Sequence, residues 1–182
     1  DDYKYHFMAT ESGTTKKTKL EDFENVRRSG LVAITLDKGD TLGWVAPTTG
    51  SDHIVLVTAE GQSIRFRESD ARPMGRSAGG VRGMKLGTSD RIVGMSIVRG
   101  DGKENELLIL SANGFGKRTE VKHYKLQHRG GSGMKTAKVT PKIGKLIGAD
   151  IVNKGDMAVS DLMTTSKKGT IIRIPLESVP LL

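Results

Sequence analysis

At 182 residues with a formal net charge of +8, the chain is long enough for one hydrophobic core, or for several small repeated units that share one. It has no cysteine, which excludes disulfides and thiolate-held zinc and fits a reducing cytoplasm. Its longest apolar runs, such as IVLV and LLIL, are far too short to span a bilayer, and the opening DDYKYHF does not read as a signal peptide, so a soluble intracellular chain is expected.

Taken from the N-terminus, one pattern recurs. FMATESGTTKKT from Phe7, VLVTAEGQSIRF from Val55, LILSANGFGKRT from Leu108 and LMTTSKKGTIIR from Leu162 each run apolar, turn on a glycine and run on again. The glycines are Gly13, Gly61, Gly114 and Gly169, and a glycine there supplies the positive φ of a tight β-hairpin. Four residues after each stands a cation: Lys17, Arg65, Arg118 and Arg173. A second marker, TLGWV, IVGMSIV and LIGADIV, aligns on Gly43, Gly94 and Gly148 and predicts a strand with a bulge or close approach where repeats converge. Between hairpin and marker lies a basic, glycine-rich loop: RRSGLV, GRSAGGVRGMK and QHRGGSGMK, aligned on Gly30, Gly83 and Gly133. TKLEDFENVRR has some helical character and RESDARPM holds a turn, but no long helix is expected.

About four strands per unit of roughly 50 residues predict an all-β, propeller-like domain with about three and a half repeats, near 3–52, 53–105, 106–158 and an incomplete 159–182. The ring is closed or an open arc; the pattern allows both.

The charge is not spread evenly. Between Asn113 and Lys145 stand nine Lys or Arg and one acid, Glu120; the rest of the chain is balanced at 20 of each sign. Such a block reads as a footprint for a polyanion. No dinucleotide or phosphate-loop motif accompanies it, and NGFGKRT has the wrong spacing for one. His6, His53, His123 and His128 are scattered, so neither a metal site nor a catalytic centre is expected. Aromatic residues, at 4%, are too few for a stacking platform, which favours duplex backbone over single strands. Glycines in the basic loops let the main chain approach a phosphate while Arg and Lys neutralise it. The residues expected to carry binding are first Arg129, Lys135, Lys138, Lys117, Arg118, Lys122 and Lys125, then Lys17, Arg65, Arg82 and Arg173.

FMATESGTTKKTKLEDF, VTAEGQSIRFRESDARPMGRSAGGVRGMKLG, RGDGKENELLILSANGFGKRTEV and TTSKKGTIIRIPLESVP resemble the C-terminal domain of the gyrase A protein of bacterial DNA gyrase, across essentially the whole chain. The resemblance implies a six-bladed β-pinwheel whose basic perimeter wraps duplex DNA and supports ATP-dependent negative supercoiling by the whole enzyme. It implies, too, that the strand-cleaving tyrosine lies in another domain, and that ATP and Mg are bound elsewhere. The partners it implies are the rest of gyrase A and gyrase B, in a heterotetramer in the bacterial cytoplasm at the nucleoid. The family's glycine-rich box is matched by QHRGGSG at Gln127, Arg129, Gly130, Gly131 and Gly133, with His128 and Ser132 where basic residues are expected. Repeat order places the chain over roughly the third to sixth blades, which makes residues 127 to 133 a second, box-like loop. Two alternatives stay open: the C-terminal domain of topoisomerase IV, which shares the blades and degrades the box, and a propeller that meets an acidic protein.

Overall fold

The computed structural model describes residues 2–182. It is built from four hairpins, each followed by a lone strand or a loop. The first repeat gives β1 (Tyr5–Thr10), β2 (Thr14–Lys19) and β3 (Leu42–Thr48); the second gives β4 (His53–Thr58), β5 (Gln62–Arg67), β6 (Val81–Arg82) and β7 (Ile92–Val98). From the third come β8 (Asn105–Ser111), β9 (Gly116–Glu120), β10 (Leu126–Gln127), β11 (Met134–Lys135) and β12 (Leu146–Asn153), and from the fourth β13 (Asp161–Thr165) and β14 (Ile171–Pro175). The only helical pieces among the described residues are short 3-10 turns, one of them at Leu20–Phe23 inside TKLEDFENVRR and one at Glu68–Asp70 inside RESDARPM. Among the described residues no helix is long and apolar enough to cross a membrane.

All four hairpin glycines adopt positive φ, between 82° and 90°, as the turns require. The marker strands β3, β7 and β12 each pair antiparallel with the first strand of their own hairpin, and each carries one bulge close to the marker glycine. The close approach holds at Gly94, where a Cβ would lie 2.7 Å from the Ala149 carbonyl; at Gly148 nothing stands within 4 Å.

The sheets do not coincide with the sequence repeats. The first runs β3-β1-β2-β6, and its outer strand β6 comes from the second repeat. The second runs β10-β5-β4-β7 with β11 also on β5, so its outer edge comes from the third repeat. Each of these two later repeats thus completes the sheet before it.

Side-chain burial follows from stacking. β4, HIVLVT, is apolar on both faces because it lies between two cores: Ile54 and Leu56 join Phe7, Phe66 and Met95, while Val55 and Val57 join Val93, Leu107 and Ile109. A third, smaller core of Leu108, Leu176 and Val179 seats the last hairpin on the third sheet.

Candidate nucleic-acid interface

Because β6, β10 and β11 are the outermost strands, the basic loops that contain them lie along the outer edge of the stacked sheets. Each loop clasps the hairpin tip of the preceding repeat. Gly83 and Met84 donate their N–H groups to the Gly13 carbonyl, and Thr136 and Ala137 donate theirs to the Gly61 carbonyl. The loops are also joined to one another. Thr35 donates through N–H to the Ala78 carbonyl (3.3 Å) and through Oγ1 to that of Ser77 (2.7 Å). Gly130 N–H reaches the Gly83 carbonyl (2.6 Å) and Lys85 N–H that of Gly131 (2.9 Å). Three loops from three repeats form one hydrogen-bonded belt.

This geometry corrects the loop alignment. Gly80, at φ 95°, would put a Cβ 2.6 Å from the Thr15 carbonyl, and Gly133, at φ 74°, would put one 2.2 Å from that of Ser63. Gly133 is therefore the counterpart of Gly80, not Gly83, and Arg82 and Lys85 correspond to Lys135 and Lys138. The bulkier residue after each of these two glycines, Val81 or Met134, pairs onto the sheet.

Three of the expected binding cations are internal. Lys17 donates from Nζ to the Glu68 carbonyl (3.1 Å), with the Glu68 carboxylate at 3.9 Å. Arg65 donates to the carbonyls of Val121, Tyr124 and Asp101 and meets His53 Nδ1 at 2.9 Å. Burial, with the Arg65 charge, holds the His53 pKa below its ordinary value, so the neutral ring is the acceptor there. Arg118 donates to the Val179 and Glu177 carbonyls and ion-pairs with buried Glu106 at 2.6 Å. All three are less than a tenth exposed. The recurring cation is an inter-repeat latch: the next repeat's 3-10 turn presents buried carbonyls that need donors, and a long cationic side chain reaches them. Arg173, at the same position, is exposed and paired with Asp161.

The remaining candidates divide by partner. Lys122 is held by Glu120, which also binds Lys154; Lys117 is half-buried, its pKa lowered by desolvation. Within the box-like loop, Arg129 spends Nε on the Asp70 carbonyl (2.9 Å) and Nη1 on that of Arg82 (3.0 Å), so much of its donor fork braces the belt. Gln127 pairs in β10, His128 Nδ1 lies 3.6 Å from Asp70, and Ser132 is exposed. Gly130 supplies the N–H to Gly83, and Gly131 the carbonyl to Lys85. Arg82, Lys125, Lys135 and Lys138 are exposed and carry no ion pair among the described residues. Lys85, missed in the sequence, joins them; the correct register with Lys138 would have shown it. No group of three His, Asp or Glu side chains among the described residues is placed to hold a metal.

The Glu120 cluster is a pH-sensitive brace. Hydrogen bonds from Lys122 and Lys154 hold the Glu120 carboxyl down from its ordinary 4.5 to about 2. A depressed carboxylate pKa contributes stability above the unfolded value, and that contribution is lost as pH falls from about 4.5 towards 2. The difference in denaturant midpoint between the wild type and Glu120→Gln is therefore expected to close over this window; a difference constant with pH would count against the brace.

Stacked small sheets with exchanged outer strands and a belt of basic loops define a β-pinwheel repeat domain with a cationic rim. A model of the DNA gyrase C-terminal domain, beta-propeller, matches residues 5–49, 52–99, 105–153 and 160–182, and the chain belongs to that family. The DNA gyrase A protein of Aminobacterium colombiense is 39% identical over the whole chain, and that of Escherichia coli K12 is 40% identical over 95% of it. The chain spans about a fifth of these relatives, 21% and 19% of their lengths. A solved DNA gyrase A C-terminal domain superposes with a TM-score of 0.85 at 25% identity, covering 100% of this chain and 59% of that one. The C-terminal domain of DNA topoisomerase IV gives 0.89 at 24%, covering 99% and 55%, a likeness of fold.

Proposed function

We propose that the belt is a track for duplex DNA, and that the chain is a non-catalytic wrapping module of a gyrase, part of a type II topoisomerase. The observation that carries this reading is the run of exposed cations without an ion pair among the described residues, Arg82, Lys85, Lys125, Lys135 and Lys138, on outer-edge loops bonded to one another from repeat to repeat. Phosphates bound there release counterions, and the summed contacts offset a bending cost on the order of 1–6 kcal/mol for a short duplex. A wrap of fixed hand in the intact enzyme would present a second segment for passage with one crossing sign. Cleavage and ATP hydrolysis belong to other parts of that enzyme, with the rest of gyrase A and gyrase B as partners in the bacterial cytoplasm. The gyrase A relatives favour this over a topoisomerase IV module.

The test is duplex affinity across a salt series for the wild type and a Lys125/Lys135/Lys138 triple alanine variant. The slope of log affinity against log salt is expected to fall by roughly 0.9 for each lost phosphate contact. An unchanged slope with unchanged affinity would remove this loop from the DNA path. Linking-number change on circles closed in the presence of the protein separates wrapping from simple binding.

A further inference from the structure

We infer that Lys16 is a positioning residue for this DNA track, a buried ammonium that fixes the first rim loop to the second; the inference rests on the DNA reading above. Lys16 is fully buried in β2, and no carboxylate among the described residues forms an ion pair with it. Its Nζ donates to two main-chain carbonyls, that of Ala33 (2.6 Å) in the first repeat's loop and that of Arg76 in the second's. Burial lowers its pKa, and the two carbonyl dipoles, with the nearby Asp22 charge, work against that by favouring the ammonium.

The equivalent position in the second sheet shows that hydrocarbon fills the slot. Ile64, also three residues after its hairpin glycine, is buried in the first core and packs beneath the third repeat's loop, with its Cδ1 3.8 Å from where a Cβ on Gly131 would stand. Burying an ammonium is costly where an isoleucine suffices. What Lys16 adds is attachment. The third loop is held to the second by the Arg129 side chain and by the backbone bonds of Gly130 and Lys85, whereas the first is held to the second by Thr35 and Lys16. Arg27 and Arg28, exposed on the first loop, are the cations this attachment would add to the track of Arg82 and Lys85.

The test compares Lys16→Ile and Thr35→Ala with the wild type by amide hydrogen exchange and by duplex affinity in a salt series. Thr35 is exposed, so its variant leaves the core intact. Both are expected to raise exchange at 31–35 and 76–80 by about tenfold or more while β4 and β8 stay protected, and to weaken duplex binding by about three- to tenfold. Lys16→Arg, which keeps the donors, is expected to retain binding. Wild-type exchange and affinity in Lys16→Ile would overturn the inference, as would an exchange increase spread over all sheets or undiminished affinity in Thr35→Ala. The exchange arm needs no DNA: if the wild type shows no salt-dependent duplex binding, the DNA reading fails, and exchange alone decides whether Lys16 ties the loops.

Discussion

Replacing Arg118 with alanine is expected to destabilise the chain by about 3–5 kcal/mol, because it strands a buried carboxylate. Glu106 is 3% exposed, and Arg118 Nη1 is its ion-pair partner at 2.6 Å. The same guanidinium supplies the carbonyls of Val179 and Glu177, which belong to the segment that seats the last hairpin. Loss should therefore appear first as detachment of residues 160–182 and then as a lower denaturant midpoint. Arg118→Lys keeps the charge but not the planar fork, and should recover only part of the loss. In a double-mutant cycle with Glu106→Gln, the two changes should be strongly non-additive. A loss below about 1 kcal/mol, in the range of exposed pairs, would show that the latch is dispensable.

The second large effect is expected at Gly133. An alanine Cβ there would stand 2.2 Å from the Ser63 carbonyl, on a backbone at φ 74°. The strain falls on main chain that cannot move without breaking the pairing of β11 with β5 and the two bonds to the Gly61 carbonyl. Gly133→Ala should cost about 1–3 kcal/mol and expose the amides of residues 134–137 to exchange. Gly131→Ala is the control within the same motif: its nearest contact is 3.8 Å away and its φ is not in the left-handed region, so it should be close to neutral. Equal effects at the two glycines would show that the loop does not depend on close approach.

These two sites show where the sequence was legible. The hairpins were, since a glycine between apolar runs has one economical use, and positive φ appears at all four. The stacking of β4 was not, since an unbroken apolar run as short as IVLV does not tell one core from two. The exchanged strands were not: β6, β10 and β11 are two residues long, too short for any period to register. Without that exchange, a cation at one position in every repeat looks like a repeated surface feature. Lys17, Arg65 and Arg118 recur there because each of their repeats makes the same internal joint with the next. The loop register slipped by three for a related reason. Gly80 and Gly83 both precede an aliphatic or methionine side chain and both press on Thr15, and only the positive φ and the approach to a main-chain carbonyl, that of Thr15 or Ser63, mark Gly80 and Gly133 as counterparts. The excess of charge near residues 113–145 was real, but its division into braces and free cations depended on Glu120, on Glu60, which pairs with Lys145 at 2.6 Å, and on the Asp70 carbonyl, none of which is near in sequence to all its partners.

Since the second repeat carries both a hairpin that receives an outer strand and a loop that supplies one, an array of such units has the logic of a zipper. Inserting a whole period anywhere, whatever the point at which the chain is opened, returns the same joint on both sides. Such a fold can change its number of units by unequal recombination without evolving a new contact, whereas a cut at the sequence boundary of one repeat damages the sheet of its neighbour. Its natural module is the joint between two repeats.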